Sequence, residues 1–144
     1  MNVESILKVK GREVETISPD ALTVFAVHKL TTTGMGALVV STDGERLEGV
    51  ISERDLVRGL SRHGTRLLDM PVAEVMSRRV PVCSPDDSLS QVMAEMTRTR
   101  HRHLPVIRTG RLCGLVSIGD IVKHRLEDLE LETSVLRDAY RAGR

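Results

Sequence analysis

Apolar residues along this chain follow two rhythms in alternation, and the whole alternation occurs twice. Short runs in which nearly every position is apolar, Ala37–Val40 and Leu104–Ile107, have the length and composition of buried strands. Each is preceded by a segment with helical apolar spacing: Leu22, Phe25, Ala26 and Leu30 in the first, and Leu89, Val92, Met93 and Met96 in the second. After each run comes a glycine-containing turn, Asp43–Gly44 or Thr109–Gly110, and then a strand ending in serine. Further helices are expected from about Glu53 and from about Ile118. Upstream, short strands around Val14–Ile17 and Val80–Cys83 run into Ser-Pro-Asp. That tripeptide predicts a helix start, with Ser18 or Ser84 as N-cap and proline in the first helical position.

The result is β-α-β-β-α, written twice. Ser18 and Ser84 stand 66 residues apart, and one extra residue in the first turn reduces the spacing to 65 between Ser52 and Ser117. A small sheet with helices on one side cannot bury a useful core alone. The expected fold is therefore α+β, two pseudo-symmetric units packed sheet to sheet. Boundaries follow from the punctuation: residues 1–62 form the first unit, 63–71 a linker marked by Gly64 and Pro71, and 72–128 the second. "VESIL" from Val3 and "VAEVM" from Val72 read as the short entry helix of each unit. Residues 129–144 extend the last helix, with Ile121, Val122, Leu126, Leu129, Leu136 and Tyr140 keeping an apolar rhythm among charges. Such a tail packs on a partner subunit or on the other unit, although fewer than three clean heptads do not define a coiled coil.

Charge and composition narrow the function classes. With 21 basic and 20 acidic residues, no global attraction to nucleic acid or to a membrane surface arises. One Phe, one Tyr and no Trp leave no aromatic platform for stacking bases. No apolar run approaches a membrane span, and the first ten residues lack the core of a signal peptide. Cys83 and Cys113 match no metal or redox spacing and read as reduced thiols of a cytoplasmic protein. Met70, Met76, Met93 and Met96 read as core filler. His101 and His103 form an H-x-H without an evident third ligand, so a metal site is not expected. The chain lacks a phosphate-cradling P-loop, a dinucleotide fingerprint and a nucleophile–base constellation, so it is not read as an enzyme.

The candidate chemistry sits where strands meet helices. "GVISERD" and "GLVSIGD" each place a serine three residues before an aspartate, at Ser52/Asp55 and Ser117/Asp120. One such pair is a helix cap, serine accepting from an orphan N–H and aspartate completing the box. Two copies, each at the end of the same unit, resemble a tandem pair of cystathionine-β-synthase (CBS) domains, a Bateman module, from about Val3 to Arg125. In detail the chain is similar to small stand-alone CBS pairs of bacteria and plant organelles, which share "SERD", "RHxPV" and "SIGD".

The resemblance implies a regulatory module that binds an adenosine-containing ligand between the two units. AMP or ATP is expected first, ADP, NAD and S-adenosylmethionine being further members of the class. The module would form a homodimer through its helical faces and pass occupancy to a partner protein. Asp120 and Asp55 would then take ribose hydroxyls, and Ser117 and Ser52 ribose or phosphate. Basic residues before the "LPV" strand, Arg102 and His103, would hold phosphate, whereas repeat 1 has Gly36 and Ala37 there. Arg54 would add a second cation, and Gly119 would let a ligand approach the backbone. Cys83 and its counterpart Ile17 stand on the strands expected to line the adenine pocket. A ligand-free adaptor that dimerises and docks a partner is the alternative.

Overall fold

The computed structural model describes residues 1–143, so the final Arg144 of the expected extension lies outside the described residues. Six helices and five strands follow in the order α1 (Val3–Lys10), β1 (Thr16–Ile17), α2 (Thr23–Thr33), β2 (Ala37–Val40), β3 (Gly49–Ser52), α3 (Glu53–His63), α4 (Val72–Val75), α5 (Leu89–Thr99), β4 (His103–Arg108), β5 (Arg111–Ser117) and α6 (Ile118–Ala142). The fold is α+β, as the repeat implies.

In the first unit β1 runs parallel to β2, and β2 pairs antiparallel with β3. The second unit keeps the β4–β5 hairpin, but its expected first strand shrinks to a single parallel bridge between Cys83 and Val106. Cys83 still donates to Pro105 and accepts from Ile107, so one residue does the pairing of a strand. The neighbouring Pro81, without an N–H, cannot extend that ladder.

Strand alternation divides the side chains between two faces. Leu38, Val40 and Ile51 pack with Ile17, Ala26, Leu30, Val72 and Met76 in one core, and Leu104, Val106 and Val116 pack with Leu89, Val92, Met96 and Ile121 in another. Val39, Val50 and Leu115, on the opposite faces, belong to neither cluster and are nevertheless buried. Burial on both faces is what sheet-to-sheet packing of the two units requires.

Ser18 and Ser84, expected as N-caps, do not cap helices. Helix α2 begins at Thr23 and α5 at Leu89, where Ser88 and Gln91 form the capping box. Ser-Pro-Asp instead makes a turn, closed by Ala21 N–H to Ser18 O and by Asp87 N–H to Ser84 O. The turn carbonyls have another use, because they accept the first N–H groups of the entry helices.

Those helices are exchanged between the units. The N–H groups of Val3 and Glu4 donate to Asp87 and Pro85 of the second unit, while those of Val72 and Ala73 donate to Ala21 and Pro19 of the first. Val3, Ile6 and Leu7 accordingly lie in the second core, and Val72 lies in the first. Each of these side chains is worth about 1.5–3 kcal/mol on full burial. Helix α1 is thus integral to a unit that begins far downstream. Within the segment expected as the linker, residues Gly64–Asp69 form a 3₁₀ helix, and Leu67 is buried against Gly59.

Candidate functional site

Serine and aspartate come together at the N-termini of α3 and α6 because each strand–helix junction needs a cap. Ser52 Oγ accepts from Asp55 N–H at 3.3 Å while the Asp55 carboxylate accepts from Ser52 N–H at 2.8 Å; Ser117 and Asp120 repeat the box at 3.1 and 2.9 Å. Backbone bonds fix both junctions further: Glu53 N–H donates to Gly36 O, and Ile118 N–H to Arg102 O. These bonds bring the first turn of each helix against the residues that precede β2 or β4.

Beyond the cap the two aspartates differ. Asp55 is 8 % exposed, and its second oxygen accepts from Ser77 Oγ at 2.7 Å. Ser77 is held there by reciprocal backbone bonds with Val50, each 2.9 Å long. Asp120 instead carries an ion pair, with Lys10 Nζ 2.7 Å from its carboxylate and 2.8 Å from Leu115 O. Burial raises the Asp120 carboxyl, but the Lys10 ammonium and the Ser117 N–H outweigh it, so it titrates below the ordinary aspartate value. The end of α1 therefore stands on the second Ser-x-x-Asp pair.

A cleft of about 500 Å³ opens between the units on the Asp55 side. That volume suits a small-molecule ligand. Ser52, Arg54, Asp55 and Arg58 line it from unit 1, and Arg100, His101, Arg102 and His103 from unit 2. Gly36, Ala37, Val50 and Val80 supply its apolar wall. Arg54 crosses the cleft to donate to Arg100 O at 3.1 Å. Arg100 occupies the left-handed region (φ 58°, ψ 35°) as the C-cap of α5, a conformation that its repeat-1 counterpart Gly34 adopts without strain. His103 is held below the ordinary histidine value by burial and then by the Lys10 ammonium, against the opposing pull of Asp120 and Glu53. His101 Nδ1 is buried without a hydrogen-bond partner.

Of the residues singled out in the sequence, Ser52, Arg54, Asp55, Arg102 and His103 line one cleft. Ser117, Gly119 and Asp120 are not on it; they stand at the junction that Lys10 closes. Cys83 and Ile17 belong to the two cores rather than to the cleft wall. Burial, with Asp87 nearby, pushes the Cys83 thiol up to about 12, so it is not a reactive group at neutral pH. Val80, three residues earlier, takes the wall position expected of Cys83. Arg58, Ser77 and Arg100 were not foreseen. Arg58 is one helical turn beyond Arg54, a spacing that puts both on one face and could have signalled it. Among the described residues no cluster of His, Cys, Asp and Glu could hold a metal ion, and no helix is long and apolar enough to cross a membrane.

Two pseudo-symmetric units that exchange their entry helices, with a cationic cleft between them, define a tandem module. The CBS domain model matches residues 6–62 and again residues 72–127, and the chain belongs to the CBS domain family. It is 30 % identical to the mitochondrial CBS domain-containing protein CBSX3 of Arabidopsis thaliana, over 96 % of this chain and 73 % of that protein. The crystal structure of the CBS-domain protein ATU1752 from Agrobacterium tumefaciens superposes with a TM-score of 0.82 at 39 % identity, covering 86 % of this chain and 92 % of that one. The structure of CBSX2 in complex with AMP superposes with a TM-score of 0.74 at 22 % identity, covering 88 % and 96 %.

Proposed function

We propose that this chain is a regulatory module that binds one adenine nucleotide in the cleft between its units and reports occupancy to a partner protein. The observation that carries the reading is the convergence of Asp55 with Arg54, Arg58, Arg100 and Arg102, drawn from both units, on a single cleft. Asp55 takes the ribose diol, displacing the hydroxyls of Ser52 and Ser77 that its carboxylate now accepts. The arginines take the phosphates, Arg102 by a two-pronged hydrogen bond. Val50, Ala37 and Val80 give the base an apolar wall. AMP or ATP fits this charge first, and NAD is a further candidate; the AMP held by CBSX2 supports the class.

A ligand gripped from both sides favours one relative angle of the units over another, and that difference in affinity is the signal. Ser117, Gly119 and Asp120 hold no second nucleotide, because Lys10 already neutralises the carboxylate and the repeat-1 counterparts of Arg102 and His103, Gly36 and Ala37, carry no charge. The module performs no reaction of its own, acts in the cytoplasm, and pairs with a second copy through its helical faces.

The test is calorimetric titration of nucleotide-freed protein with AMP, ADP, ATP and NAD, on wild type, Asp55→Ala and Asp120→Ala. Each variant loses the aspartate half of a capping box, so the comparison between them separates ligand contact from the loss of the box. One nucleotide per chain is expected, with affinity reduced tenfold or more in Asp55→Ala and kept in Asp120→Ala. The opposite pattern would move the ligand to the second junction. No heat with any nucleotide would leave the adaptor reading, in which the fold docks a partner without ligand.

A further inference from the structure

Helix α6 runs far beyond the core it serves. Ile121 and His124 are its last buried residues, and every residue from Leu129 to Gly143 is exposed. Along this length Val122, Leu126, Leu129, Thr133, Leu136 and Tyr140 follow one another in alternating steps of four and three, the repeat of a coiled-coil seam. Leu126, Leu129 and Leu136 are 55, 52 and 70 % exposed, more surface than a lone helix leaves in water without cause. Leu131 and Val135 fall on the opposite side and make no comparable stripe.

We propose that this seam joins two copies of the chain, α6 lying parallel and in register with α6 of a second copy. The flanking charges select that arrangement. In a parallel pair the residue just before an a-type seam position, here Leu126 or Thr133, faces the residue five further along in the other helix. Arg125 then meets Glu130 of the second copy, and Glu132 meets Arg137 of the second copy, twice over by symmetry. The antiparallel pair of full length would set Glu130 against Glu130, Glu132 against Glu132 and Lys123 against Arg137. Leucines 129 and 136 occupy the seam position that parallel two-stranded coils favour for leucine. Thr133 supplies one polar layer, which costs stability and fixes register. Fewer than three full heptads, with such a layer, make a modest seam, so the pair comes apart on dilution.

Cysteine cross-linking tests this on the full chain. The variants are Leu129→Cys, on the seam, and Leu131→Cys, opposite it; both positions are exposed, so folding is unaffected. A parallel register brings the two copies of position 129 within disulfide reach. Mild oxidation is expected to convert Leu129→Cys to a covalent dimer on a non-reducing gel, several-fold more than Leu131→Cys or the wild type with its two native thiols. Adding Glu130→Lys and Glu132→Lys sets like charges across the seam and should cut the yield several-fold. Equal yields at 129 and 131, or no cross-link at 129, would overturn the proposal. So would cross-linking of Leu129→Cys only with a separate Thr133→Cys chain, the mark of an antiparallel pair.

Discussion

Asp55 and Asp120 occupy the same place in the same motif and do the same local work, yet a single neighbour separates them. A serine hydroxyl on one can be displaced by a ribose hydroxyl at little cost, whereas an ammonium on the other must be replaced by something that also carries charge. Arg100 is the other residue whose setting exceeds its local needs. Holding a non-glycine side chain in the left-handed region costs about 1–2 kcal/mol, and glycine would return part of that gain as greater freedom of the unfolded chain. Arg100→Gly is therefore expected to raise stability slightly, by up to about 1 kcal/mol, read as a higher urea midpoint. The same change removes a cation from the cleft and should weaken nucleotide binding about tenfold, the loss of one charge-assisted hydrogen bond. Strain kept beside a cleft is the expected signature of a functional residue.

Two glycines at matching places in the repeats let neighbouring elements close on one another. A Cβ at Gly49 would stand 2.7 Å from Ser77 O and 2.8 Å from Met76 Sδ; one at Gly114 would stand 2.6 Å from Leu7 Cδ2. Both positions let an entry helix or its trailing chain approach a strand closely, α4 on β3 and α1 on β5. Alanine at either should cost about 1–3 kcal/mol through overpacking, measured by denaturant unfolding. The two differ in what has to yield. At Gly49 the obstacle is the backbone that carries Ser77, so Gly49→Ala should also weaken nucleotide binding. At Gly114 it is the end of a leucine side chain, and Gly114→Ala should leave binding close to wild type.

His103 ties the assembled units together, because the charges around it come from three helices and from its own neighbour in sequence. It lies on β4, Lys10 on α1, Glu53 on α3 and Asp120 on α6, with Arg102 beside it in sequence. Burial and Lys10 keep its folded value below the roughly 6.5 of an unperturbed histidine. Between those two values the unfolded chain binds the proton and the folded chain does not. His103 thus favours the fold fully above about pH 6.5, and this contribution is lost as pH falls through the folded value. Unfolding midpoints from pH 8 to 5 should therefore drop more steeply for wild type than for His103→Gln. Parallel curves would mean that His103 is not coupled to the fold.

Much of this architecture was legible in the residue pattern. Two rhythms repeated at near-constant spacing specify βαββα twice. The boxes at Ser52/Asp55 and Ser117/Asp120 formed as read, since a cap depends on residues three apart. Local rules failed where a distant partner competed for the same groups. Ser18 and Ser84 look like caps, but the carbonyls beside them are taken by entry helices from across the chain. Cys83 and Ile17 pair with β4 and β2 as expected of first strands, but their side chains turn into the cores. The motif marked both aspartates alike; α1, exchanged onto the second unit, delivered Lys10 to one and left the other facing the cleft. Short-range chemistry is written in the sequence because its partners are neighbours in it. The choice between two identical motifs belongs to the packing, because the group that distinguishes them lies 110 residues away in the chain and 2.7 Å away in space.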